Sequence, residues 1–186
     1  MSATSLIAPQ TGVVTELHVR EWHDDDLPTI GRLHAVSRHH AYADLVDPVA
    51  LARVSPASQE AVWRARWAGL RGRAAQGRPY VSLLAEAGGL PVGFAVAFVP
   101  ATPDDRAGAE LNALHVLPSH HGTGVAQALM RGVVDALGTW GVTRAHLLVL
   151  EGNARAEAFY RRAGWVLRGP AGTHDVGGAE DRKSVV

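Results

Sequence analysis

The chain has 186 residues and a mass of 19.7 kDa, and 47% of it is hydrophobic, enough for one buried core but little ground for a second. Eighteen Lys and Arg balance eighteen Asp and Glu, so no field of one sign exists to hold a nucleic-acid backbone, and nucleic-acid partners are excluded. The absence of cysteine excludes a disulfide framework, a thiolate metal site and a cysteine nucleophile.

No window approaches the roughly 20 apolar residues of a membrane span, and Met1 to Thr15 has no basic stretch leading into an apolar core. The expected compartment is the cytoplasm, with no membrane partner. Residues 1–13 read as a flexible leader, 14–180 as one domain and 181–186 as a frayed tail. Alternation over Leu17, Val19 and Glu21 predicts a first strand. Asp24, Asp25 and Asp26 then open a helix that turns Leu27, Ile30, Leu33, His34 and Ser37 inward and ends near His40. Tyr42 to Pro56 reads as a loop with at most a helical turn. Ser58 is expected to cap a second helix, with Val62, Trp63, Trp67 and Leu70 on its apolar side. Tyr80 to Ala85 and Val92 to Val99 form a hairpin about Gly88-Gly89.

Glu110 to Leu117 is the next strand, stopped by Pro118. Gly122-Thr123-Gly124 opens a strongly amphipathic helix through Ala126, Leu129, Met130, Val133, Val134 and Leu137. Ala145 to Leu150 is a buried strand, Asn153 to Ala163 a short helix closed by Gly164, and Trp165 to Leu167 the start of a further strand. An edge strand is expected around His174 to Ala179.

The junction Leu114-His115-Val116-Leu117-Pro118-Ser119-His120-His121-Gly122-Thr123-Gly124-Val125-Ala126 is the most informative stretch. Proline halts a strand, and two glycines allow backbone N–H groups to converge at a positive helix end, a geometry that suits a pyrophosphate. An ordinary glycine turn would read the same way. A dinucleotide fingerprint fails at Gln127, where a third glycine or alanine is needed, a nucleoside-triphosphate loop fails for want of its lysine, and no serine stands between glycines as a hydrolase elbow requires.

Together with Asn153-Ala154-Arg155-Ala156-Glu157-Ala158-Phe159-Tyr160-Arg161-Arg162-Ala163-Gly164-Trp165, this junction resembles the two signature motifs of the GNAT superfamily of acetyl-CoA-dependent N-acyltransferases. The likeness is dense from Glu110 to Trp165 and holds only in element order from Leu17 to Val99. It implies an α/β (α+β) fold with a mixed central sheet of about six to seven strands, splayed at the fourth and fifth and flanked by about four helices. It implies acetyl-CoA as co-substrate. Leu114, His115 and Val116 would border the pantetheine arm, the amides of His121, Gly122, Thr123, Gly124, Val125 and Ala126 would hold the pyrophosphate, and Asn153, Ala156, Phe159 and Tyr160 would line the cleft.

His121 departs from the family pattern, which has Arg or Gln there, and a histidine that titrates near neutrality implies acetyl-CoA affinity that falls as pH rises. Tyr160 is the family's usual partner for the departing thiolate, with a core tyrosine as the structural reading. The Val116 N–H is the expected oxyanion donor. A lysine-like amine near pKa 10.4 costs on the order of 4.6 kcal/mol to present neutral at pH 7. Glu110, acting through water, is the candidate base; its plain reading is a solvent-facing edge charge. Asn153 could equally be a helix N-cap, and both roles are compatible.

The family's acceptor groove would here involve Tyr42, Asp44, Asp47, Asp104, Asp105, Asp175 and Glu180, with Trp22, Trp63 and Trp67 nearby unless they are core. The recurring acids suggest a small cationic amine of the aminoglycoside type. A peptide N-terminus and a non-catalytic acyl-CoA sensor are the alternatives. The adjacent pairs His39-His40 and His120-His121 point apart on regular elements, so no metal is expected. Whether the chain pairs as a homodimer stays open.

Overall fold

A computed structural model describes residues 16–100, 108–176 and 179–185. In chain order they form β1 (Leu17–Glu21), α1 (Leu27–Tyr42), α2 (Pro48–Ala52), α3 (Pro56–Ala74), β2 (Tyr80–Ala87), β3 (Leu90–Phe98), β4 (Ala109–Val116), α4 (Val125–Thr139), β5 (Ala145–Leu150), α5 (Ala154–Arg162), β6 (Gly169–Val176) and β7 (Ala179–Val185). Seven strands make one mixed sheet in the order β1-β2-β3-β4-β5-β7-β6.

The sequence expectations shift in five places. The segment after α1 holds a true short helix, α2, because Asp47 accepts hydrogen bonds from the amides of Val49 and Ala50 and Pro48 fits the first turn; the helices therefore number five, not four. Helix α3 is capped by Ser55, with Ser58 answering it, rather than by Ser58 alone. Val62 and Val134 face solvent on their helices. Trp165 to Arg168 is not strand, and β6 starts at Gly169. The segment expected to fray lies in β7, which enters the sheet between β5 and β6 and pairs with both. Cross-strand partners far away in the chain supply that order.

Two cores lie on opposite faces of the sheet. One joins α4 to the strands through Leu129, Val133, Leu111, Leu147, Val149 and Tyr160. The other joins α1 and α3 through Leu27, Ile30, Leu33, Trp63, Phe94 and Ala113. Trp22 stacks on Trp67 at 4.4 Å and meets Trp63 edge-on at 6.1 Å, and all three are buried. The tryptophans are therefore core and do not line a groove, since their area is fully used against one another. Gly31 lets α1 and α3 touch: a Cβ there would lie 2.7 Å from Pro56 O and Glu60 N.

Strand β4 changes face along its length. Leu111 pairs with Ala97 and Ala113 with Val96, so Asn112 is the extra residue of a bulge. Leu111 thus packs toward α4 while Ala113 packs toward α1 and α3. The bulge re-aims everything downstream of it.

Candidate functional site

β4 and β5 run parallel and pair only over Ala109–Leu111 and Ala145–Leu147. Beyond that, β5 turns its edge to β7, with Leu148 opposite Val185 and Leu150 opposite Lys183. Among the described residues, the far end of β4 therefore has no strand partner on this side. Leu117 N–H donates to Val92 O at 2.8 Å. By antiparallel alternation, His115 is bonded to β3, whereas the main-chain groups of Leu114 and Val116 point into the gap.

This alternation corrects the expectation for His115. Its main chain belongs to the β3 ladder, its ring stacks on Phe94 at 5.3 Å, and its Nδ1 lies 2.7 Å from Ser37 Oγ. Ser37 is itself buried and donates to His34 O at 3.1 Å. His115 thus faces α1, away from the gap that holds Leu114 and Val116.

A turn at Pro118–His120 leads to Gly122 and Gly124, which adopt φ of 79° and 94°, left-handed values that glycine alone takes without strain. An added Cβ at either would meet nothing within 4 Å, so the loop faces open space. Among the described residues, the amides of Gly122, Gly124, Val125, Ala126 and Gln127 have no acceptor. Those of His121 and Thr123 are engaged, with Pro118 O at 3.2 Å and His120 O at 3.5 Å. Four of the six expected amides are therefore open at the N-terminus of a 15-residue helix, and the amide of Gln127 makes a fifth.

His121 is held by its neighbours. Its Nε2 lies 3.2 Å from Val116 O, and Arg155 of α5 donates to the imidazole, with Nε2 at 2.9 Å and Nδ1 also in contact. Burial, then the Arg155 charge, then His40 hold its pKa below the ordinary 6.5, against the opposing bond to Val116 O. His121 is therefore neutral near pH 7. This corrects the expected titration: a positive His121 would strengthen acetyl-CoA binding only as pH falls below about 6.5. Arg155, a residue that motif reading passes over, brings a permanent positive charge to the cradle. Between about pH 6.5 and 8, acetyl-CoA affinity measured by calorimetry is expected to stay level in wild type and His121→Gln and to drop about tenfold in Arg155→Gln. A tenfold loss in His121→Gln instead would return the phosphate contact to His121.

On α5, Asn153 caps the helix, its Oδ1 accepting from Ala156 N at 3.2 Å. Ala156 and Phe159 are half-buried against the α4 core. A concavity of about 440 Å³ lies between Gln127, Met130 and Arg131 of α4 and Phe159 and Arg162 of α5. Tyr160 is buried, edge-on to Phe159 and Trp165, and burial, reinforced by Tyr42, pushes its phenol well above the usual tyrosine range. Its phenol therefore stays protonated near neutral pH.

On the opposite face, Glu110 Oε1 accepts from Asn112 Nδ2 at 2.7 Å, and Asn112 Oδ1 accepts from Arg66 of α3 at 3.4 Å. Tyr42, at the end of α1, is half-buried with Arg38 over its ring at 5.6 Å. Asp44 is exposed in the turn after α1, whereas Asp47 is occupied as the α2 cap. Asp104 and Asp105 lie outside the described residues; Asp175 and Glu180 are placed only as strand positions, paired with each other across β6 and β7.

The sheet thus forks between β4 and β5, with the main-chain groups of Leu114 and the N–H of Val116 facing the fork and the open amides of the α4 turn at its tip. The sequence model of the Acetyltransferase (GNAT) family matches residues 18–165, and the chain belongs to that family. Uncharacterized N-acetyltransferases of Mycobacterium bovis and Mycobacterium tuberculosis are 44% identical to it over 66 residues, 36% of this chain and 42% of theirs. The chain thus aligns with less than half the length of these relatives. The fold is shared by a GCN5-related N-acetyltransferase from Rhodopseudomonas palustris, at a TM-score of 0.70 and 21% identity over 94% of this chain and 96% of that one. It is shared too by the PaiA N-acetyltransferase of Thermoplasma acidophilum in complex with coenzyme A, at 0.67 and 17% over 91% and 98%.

Proposed function

We propose that this protein is an acetyl-CoA-dependent N-acetyltransferase acting on a primary amine of a small molecule by direct transfer in a ternary complex. One observation carries the reading: the β4–β5 pairing stops at Leu111 and Leu147, so Leu114 and Val116 face a gap that ends at five open amides of the α4 turn. The residues fit a pantetheine pyrophosphate. Gly122 and Gly124 leave room for it, Arg155 supplies charge, and Asn153 keeps its amide NH2 group for the arm.

Bound acetyl-CoA supplies an activated thioester. The Val116 N–H, aimed into the gap, would donate to the carbonyl oxygen as negative charge develops there. Tyr160 would hydrogen-bond the departing sulfur. Glu110 is the proposed proton acceptor, but it lies six residues from Val116, on the order of 20 Å along a strand. It reaches a reacting amine only through a chain of waters.

The acceptor remains a proposal. Glu110 and the exposed Asp44 favour a cationic small molecule such as an aminoglycoside, while Asp47 withdraws from that set because its carboxylate caps α2. Release of free CoA thiol from acetyl-CoA over aminoglycosides, polyamines, amino acids and short peptides tests the reading, and CoA binding with no turnover on any of them would favour the sensor alternative. In the same assay Tyr160→Phe is expected to lower kcat about tenfold, the worth of one hydrogen bond, with acetyl-CoA affinity within about twofold. An unchanged kcat would remove Tyr160 from the mechanism.

A further inference from the structure

The parallel pairing of β4 with β5 ends one rung beyond Glu110 and His146, so these two residues stand side by side where the sheet forks. Their Cα atoms are partners on adjacent strands, about 4.8 Å apart. Both side chains lie on the face opposite α4, because Leu111 and Leu147 on the next rung pack into the α4 core and successive strand residues alternate. On that same face of β5, Leu150 packs with Ala35 of α1 and Leu51 of α2. Glu110 accepts from Asn112, which Arg66 of α3 reaches. His146 thus stands on the side of the sheet proposed to receive the acceptor.

Its ring has an unpartnered nitrogen. Among the described residues, three buried side-chain nitrogens have no hydrogen-bond partner: Trp22 Nε1, Arg73 Nη1 and His146 Nδ1. The first belongs to the tryptophan core and the second to an arginine lying over Phe98. Of these three groups only an imidazole both takes up and gives up a proton near neutral pH. A buried nitrogen that no protein group satisfies takes its hydrogen bond from water or from a ligand. A water at Nδ1 would be the last link of the chain through which the amine's proton has to travel. His146 as a whole is half-buried, so a proton that arrives there can pass on to solvent.

We propose that His146 takes the acceptor's proton through water at Nδ1, with Glu110 as the positioning residue that balances the charge of the imidazolium. The proposal rests on the acetyl-transfer reading and replaces its lone carboxylate with a histidine–carboxylate pair. A general base serves best when its own titration lies near the working pH, as that of imidazoles does and that of carboxylates does not. The protons balance. The ammonium form of the acceptor gives one proton through water to His146. The neutral nitrogen then bonds to the thioester carbonyl carbon as the C–S bond breaks. The second nitrogen proton ends on the departing sulfur, and His146 returns the first to solvent.

The test uses the full chain, acetyl-CoA and the amine of the panel above that turns over fastest. His146→Gln is expected to lower kcat about a hundredfold while acetyl-CoA affinity by calorimetry stays within about twofold. Imidazole added to His146→Ala should restore kcat about tenfold or more, and pyrazole, of the same shape but a far weaker base, should not. Glu110→Gln should cost less, about tenfold, because the imidazole still takes the proton. Should His146→Ala not fold, His146→Gln decides alone. An unchanged kcat in His146→Gln, or a loss confined to Glu110→Gln, would overturn the pair and leave Glu110 as the acceptor of the proton. Rescue by both additives or by neither would reduce His146 to a packing role. Turnover of no amine by a protein that binds acetyl-CoA would instead overturn the acetyl-transfer reading, and the base with it.

Discussion

Gly124→Ala is expected to weaken acetyl-CoA binding about ten- to a hundredfold while lowering Tm by only a few degrees. Gly124 holds φ at 94° as the cap residue of α4, and no side chain or backbone lies within 4 Å of the position a Cβ would take. The strain of a left-handed alanine is roughly 1–2 kcal/mol, which in a domain of this size moves Tm by about 2–8 °C. Binding suffers more. The Cβ would enter the space the amides face, and a rotated peptide would misdirect one or two charge-assisted bonds worth about 1.5–3 kcal/mol each. Gly138→Ala, in the last turn of the same helix with nothing within 4 Å, is the control and should leave affinity unchanged. Calorimetry on both variants beside their melting curves decides it; equal affinities would mean that the phosphates do not lie on this turn.

Gly31→Ala should act through stability and the acceptor instead. The new Cβ would sit 2.7 Å from Pro56 O and Glu60 N and 2.9 Å from Glu60 Cα, all backbone atoms that cannot rotate away. Overpacking of this kind costs about 1–3 kcal/mol, which predicts a Tm lower by roughly 2–12 °C. Relief must come from parting α1 and α3. Those helices flank Asp44 and Glu110 of the proposed acceptor groove, so the acceptor KM should rise, while acetyl-CoA affinity, proposed to rest on β4, α4 and α5, should hold. A stable variant with unchanged KM would show that the helix pair accommodates the methyl group without moving the groove.

Local pattern made much of this protein legible. Continuous apolar runs marked β2 and β3, alternation marked β1, the 3.6-residue period of Leu129, Val133 and Leu137 marked α4, and Pro118 followed by two glycines marked the turn that opens the cradle. Such signals survive without a structure because each depends on neighbours within a few positions. The bulge at Asn112 left no such trace: nothing in Leu111-Asn112-Ala113 breaks the alternation, and only the register against Val96 and Ala97 reveals the extra residue.

The amino-acid sequence by itself determined the elements, the family and the glycine turn, since these follow from periodicity, from residue-specific backbone freedom and from motif spacing. The tertiary structure alone decided which side chains meet. Arg155 reaches His121 from 34 positions away and turns an expected titrating phosphate ligand into a neutral one. Arg66 reaches Asn112 across 46 positions, and Asn112 in turn donates to Glu110, a contact that joins α3 to the start of β4. β7 closes on β5 and, among the described residues, leaves β4 without a strand partner at the point where the sheet forks. Each of these depends on how whole elements pack, and the free energy of that packing is spread over buried area too large for any local window to contain.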